Sequence, residues 1–168
     1  MISSSAAQRR ARLLSVPLLV AVGSAVLIII GSLGPWARVP GYRAVYGSAD
    51  EGVDVFWVMG TAAPGIIPLV GDGIISLIFG GVAGALALWR LVRPDSSAFV
   101  LLAVFILVLV SGMLGVANWG NAENIPQRDP TSFFPGDVEV SWGLILMTLA
   151  AWPGVVSSAY QLWKDELQ

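Results

Sequence analysis

The chain has 168 residues, of which 56% are hydrophobic and 12% charged, against roughly 25% charged in an ordinary soluble domain, so a water-soluble core is excluded as its organising feature. A formal net charge of −2 with no basic run points away from nucleic acid and from an anionic membrane surface. With neither cysteine nor histidine, disulfide scaffolding, thiol chemistry and imidazole catalysis are closed, and no cofactor or metal ligand set is expected.

Four apolar segments, each long enough to cross a hydrocarbon core of roughly 30 Å, take up most of the length, and almost every charge falls between them. The fold expected is an all-α integral membrane protein forming one domain over residues 1–168, with helices at about 13–34, 72–92, 97–117 and 141–163 and outer loops at 35–71 and 118–140. The first segment follows Arg9, Arg10 and Arg12 and carries Pro17, placed by this boundary in its first turn, with Pro35 just past its end. Its length, and the absence of a small-x-small site after Gly34, favour a retained anchor over a signal peptide.

The second segment opens at Asp72-Gly73, where the Asp72 carboxylate is assigned as a helix cap rather than an ion site, and closes at Arg90, Arg93 and Pro94. Asp95 and Ser96 are the capping candidates for the third, so the second and third segments form a hairpin with a short turn. The fourth holds Trp152-Pro153-Gly154 near its middle. Pro153 has no amide to give Leu149, and a kink is expected there.

Orientation follows from charge. The N-terminal arginines, Arg90, Arg93 and Lys164 share one side of a four-span arrangement, so both termini are expected in the cytoplasm. Trp36, Trp57, Trp119 and Trp142 then fall near the outer interface, Trp89 and Trp163 near the inner one, and Trp152 at mid-depth. The first outer loop divides into a polar half, Ala37 to Asp54, that reads as short strands broken at Pro40-Gly41 and Gly47-Ser48, and an apolar half, Val55 to Val70. The apolar half is interrupted by Gly60, Pro64, Gly65 and Pro68, and is expected to lie at the interface or dip into it. In the second loop, Asp137-Val138-Glu139-Val140 alternates as an extra strand would, so the two loops together could form a small β-sheet.

Ser76, Gly80 and Gly84 recur every four residues on one face of the second helix, and such a stripe lets another helix approach closely. Internal packing of the four helices is the plainer reading; a partner interface is the sharper one. Gly81 and Ala85 form a parallel stripe beside it, and Ser111 with Gly115 a weaker one on the third helix. No ionisable residue stands at mid-depth in any span, which disfavours an ion-coupled transporter. Thr148, Ser157 and Ser158, around Pro153, are read as satisfying helix carbonyls.

A single lysine among nine basic residues is the mark of a GC-rich bacterial genome. Leu33-Gly34-Pro35-Trp36 closing the first helix, and Asp72-Gly73-Ile74-Ile75-Ser76-Leu77 opening the second, resemble motifs of small four-span membrane proteins of actinobacteria. Proteins similar to these include accessory subunits of larger envelope machines, among them Mce-type lipid importers. The resemblance implies a non-catalytic accessory or stabilising subunit in the bacterial plasma membrane, with larger complex subunits and membrane lipid as partners. A respiratory complex is the rival host. A stand-alone homo-oligomeric carrier or channel for a lipid-like molecule, built around Pro153, is the alternative of a different class.

Overall fold

A computed structural model describes residues 3–40, 55–59, 72–93, 95–128 and 139–166. Its elements in chain order are helix α1 (Ser3–Leu33), strand β1 (Pro35–Pro40), strand β2 (Val55–Met59), helix α2 (Asp72–Val92), helix α3 (Ala98–Arg128), strand β3 (Glu139–Val140) and helix α4 (Trp142–Glu166). All four helices are long and apolar enough to span a bilayer, over Val16–Leu33, Asp72–Val92, Ala98–Gly120 and Trp142–Asp165.

The apolar segments thus predict the spans, but not every helix end. Helix α1 begins about three turns before the expected boundary, so Pro17 lies in its interior and not in its first turn. Helix α3 continues to Arg128, through residues assigned to a loop, because nothing between Gly120 and Arg128 except Pro126 opposes a helix once it is running. The cap of α3 is Ser97, one residue beyond the expected candidates: its hydroxyl accepts the Phe99 amide at 3.3 Å, while Asp95 is exposed. Pro153 lies within α4, as the sequence indicates.

The helices pack in a ring. Helix α1 contacts α2 and α4, α3 contacts α2 and α4, and the α1–α3 diagonal is nearly empty of contact. At the end where α1 finishes and α4 starts, a three-stranded antiparallel sheet in the order β2-β1-β3 covers the bundle. Arg38 stands opposite Trp57 on β2 and Glu139 on β3. The sheet expected from the two loops is therefore present, with one change: Val55–Met59, placed in the interfacial apolar half, is a strand instead. Its run of β-branched and aromatic residues suits the pleat, and β1 supplies its backbone partners. The remainder of that apolar half, the strands expected within 41–54, and the start of the 137–140 alternation lie outside the described residues.

Trp36 ties the sheet to the helices. It is wholly buried in the core cluster with Ile28, Leu144 and Met147, because it follows α1 directly and β1 turns back over the bundle. Its indole Nε1 donates to the Gly31 carbonyl at 3.0 Å, and its own carbonyl accepts the Ser141 amide at 2.8 Å, just before α4. Replacing Trp36 with phenylalanine deletes one buried donor and leaves part of the indole's volume empty in the core. The expected cost is about 2–3 kcal/mol, read as a lower thermal unfolding midpoint in detergent.

Candidate functional site

The stripe that stands out in the sequence packs inside the chain. A methyl group at Gly80 would stand 3.0 Å from Ile28 Cγ2 and 3.3 Å from the Ala25 carbonyl, and one at Gly84 3.3 Å from Ala25 Cβ. Ser76 is fully buried on the same side of α2. Gly80 and Gly84 therefore seat α2 on α1. The neighbouring stripe differs: Gly81 has nothing within 4 Å, and Gly81 and Ala85 are both exposed.

The closest helix contacts lie elsewhere, at glycines the sequence does not mark by spacing. At the α1–α4 crossing, a methyl on Gly31 would stand 2.6 Å from the Met147 amide nitrogen, and one on Gly143 2.6 Å from the Pro35 carbonyl oxygen. At the α3–α4 contact, a methyl on Gly115 would collide with Thr148 Oγ1, and one on Gly112 would stand 3.0 Å from Ala151 Cβ. Gly154, just after Pro153, lies against both Val108 of α3 and Ser24 of α1. Helix α4 is thus the one around which the others close. Half of its span is buried, against 28% for α2.

Most buried hydroxyls are satisfied locally, as small polar residues in apolar helices usually are. Ser32 donates to Ile28 O, Ser111 to Leu107 O and Thr148 to Leu144 O, at 2.7–2.9 Å. Ser157 and Ser158 both donate to the Gly154 carbonyl, at 3.1 and 2.6 Å, and not to the Leu149 carbonyl that Pro153 leaves without its amide.

Two polar assemblies bridge helices. At the sheet end, Asn118 of α3, fully buried, donates from Nδ2 to Asp72 Oδ2 of α2 and to its own Leu114 carbonyl, both at 2.8 Å. The Asp72 carboxylate thus accepts its hydrogen bond from α3, and among the described residues none from the first amides of its own helix. Asn118 Oδ1 and Ser76 Oγ are buried without a hydrogen-bond partner among those residues.

At the opposite end, Arg90, its side chain 10% exposed, donates to Asp165 Oδ2 at 2.6 Å and also to the Ser96 carbonyl and hydroxyl. Gln161 donates to the other Asp165 oxygen at 3.3 Å. This assembly joins the end of α2, the α2–α3 turn and the end of α4. Around it Arg93 stacks on Trp89 at 4.8 Å and Lys164 on Tyr160 at 5.9 Å, with Trp89 and Trp163 exposed. Charge distribution alone marks Arg90 as a topology signal. Its role as a clamp depends on Asp165, 75 residues away, and no local signal pairs them.

Among the described residues no group of three or more His, Cys, Asp or Glu side chains could hold a metal ion. The fold and these sites define an all-α membrane protein of four spans, knit by glycine crossings around α4 and capped at one end by a small sheet. Comparison with protein-family models, with curated proteins and with solved structures finds no match for the chain.

Proposed function

We propose that this protein is a non-catalytic accessory subunit of a larger plasma-membrane complex in a GC-rich bacterium, with a lipid importer of the Mce type as the preferred host. The observation that carries the reading is the open face of α2. Ile78, Gly81, Val82, Ala85 and Leu88 follow one another at helical spacing, all exposed, on the helix with the least burial in the bundle. Two small residues at the centre of that face give lipid tails little to pack on, yet they let another helix's backbone approach closely.

The bundle itself favours a bracing role over a conduit. Gly115, Gly143 and Gly154 bring backbone against neighbouring helices where a pathway through a single chain would need space. In this reading both termini are cytoplasmic, the sheet lies outside, and the basic and aromatic end, with Arg93, Lys164, Trp89 and Trp163, sits at the cytoplasmic interface.

Paired substitutions on the two faces of α2 test this. Gly81→Leu fills only open space, so it is expected to leave insertion and thermal stability unchanged while abolishing co-purification of the host. Gly80→Leu drives a side chain into Ile28 and Ala25 and is expected to destabilise the monomer by about 1–3 kcal/mol. If Gly81→Leu retains the partner at full stoichiometry, the α2 face is lipid-exposed surface and the docking reading fails.

A further inference from the structure

The Asp72–Asn118 contact is built like a ligand site and not like a self-contained pair. Both hydrogens of the Asn118 amide are committed, one to Asp72 and one to Leu114 O, which fixes the amide so that its Oδ1 is left as a buried acceptor. That oxygen lies on the same amide group whose nitrogen is 2.8 Å from the Asp72 carboxylate. One turn along α2 from Asp72, Ser76 Oγ is also buried and unpartnered, although a serine within a helix has its own i−4 carbonyl within reach, as Ser32 and Ser111 use theirs.

A buried polar atom left without a partner costs about 1–3 kcal/mol, so one on the amide that binds Asp72 and another a helical turn along α2 call for a partner. The atoms available to one are a carboxylate oxygen, an amide oxygen and a hydroxyl oxygen, with one formal negative charge among them. Hard oxygen donors of this kind suit an alkali or alkaline-earth cation, and a single carboxylate matches a single positive charge. No basic side chain pairs with Asp72 among the described residues.

We infer that Asp72, Ser76 and Asn118 converge on a binding site for a monovalent cation such as sodium, at the sheet end of the α2–α3 interface. Both orphaned atoms gain a partner, and the carboxylate at the edge of the hydrocarbon gains a counter-charge. The bound ion would lock α2 to α3 where the connection between them is furthest away, since their turn lies at the other end of the bundle. This inference stands on the polar cluster alone and is independent of the docking face of α2.

The test is a thermal unfolding titration of the purified full chain in lipid nanodiscs, with sodium replaced by N-methylglucamine at constant ionic strength and potassium as a second arm. Sodium, or potassium in its place, is expected to raise the midpoint saturably, by about 5 °C at concentrations well above the dissociation constant. Asp72→Asn, Ser76→Ala and Asn118→Ala should each abolish the sodium dependence. Ser76→Ala removes a single buried oxygen that has no hydrogen-bond partner, so it is the variant least able to act through misfolding. Sodium and N-methylglucamine giving the same midpoint in the wild type would overturn the inference and leave ordered water as the occupant. Retention of the full sodium response in Ser76→Ala and Asn118→Ala would overturn it equally, by placing the ion elsewhere.

Discussion

Replacing Gly143 with alanine is expected to be among the most damaging single-methyl changes in the protein. The added carbon would stand 2.6 Å from the Pro35 carbonyl oxygen, 2.7 Å from the Gly34 carbonyl carbon and 2.8 Å from the Gly31 carbonyl oxygen. All three obstacles are backbone, so no side chain can rotate to make room. Either α4 moves off α1, or the α1–β1 junction shifts and carries Trp36 with it. Overpacking of this kind costs about 1–3 kcal/mol where side chains can adjust, and more where they cannot. Gly31→Ala should behave alike, since its methyl meets the Met147 amide nitrogen and the Gly143 carbonyl. The two substitutions act on one crossing, so their combined effect on the unfolding free energy in detergent is expected to be less than additive. Gly81→Ala and Gly23→Ala, both with nothing within 4 Å, serve as controls and should leave stability unchanged or slightly raised.

The second large effect is expected at the other end of the bundle. Asp165→Ala removes the carboxylate that holds the buried Arg90 guanidinium at 2.6 Å, while Ser96 continues to hold Arg90 in place. A cation is then left partly desolvated without its counter-charge, at a cost on the order of 3 kcal/mol. Arg90→Leu combined with Asp165→Ala takes both charges away and is expected to recover more than half of that loss. The α2–α3 turn and the end of α4 should loosen together in the single variant, read as faster amide exchange in 95–100 and 158–166. Equal loss in the single and double variants would mean that the pair is screened surface charge and contributes little.

The spans were the legible part of this chain, because a helix in hydrocarbon must satisfy its own backbone and so advertises itself by an unbroken apolar run. Helix ends were less so. The extension of α3 runs through polar residues and past Pro126 to Arg128, and the capping role falls to Ser97 and not to Asp95 or Ser96, a shift of one residue. The sheet could be anticipated from alternation at 137–140, yet β2 falls in the stretch that hydropathy assigns to the interface, since aromatic and aliphatic residues suit both settings.

The candidate sites divide in the same way. Spacing singled out Ser76, Gly80 and Gly84, and the two glycines do pack a helix, but against α1 of the same chain and more loosely than Gly31, Gly115, Gly143 and Gly154. Those four are scattered over three helices, and their proximity exists only once the ring closes. Asn118 is one amide where the aliphatic part of α3 ends, with nothing in its neighbours to mark it; its meaning comes from Asp72, 46 residues earlier.

The account's central claim is that α2 presents its open face to other membrane subunits. The most direct measurement is purification of the chromosomally tagged protein in mild detergent, with mass spectrometry of whatever accompanies it. Stoichiometric recovery of a multi-subunit envelope complex, lost with Gly81→Leu, is the result predicted, and the identities recovered would decide between a lipid importer and a respiratory host. Recovery of the chain alone, or only with copies of itself and bound lipid, would contradict the account and favour a homo-oligomeric carrier.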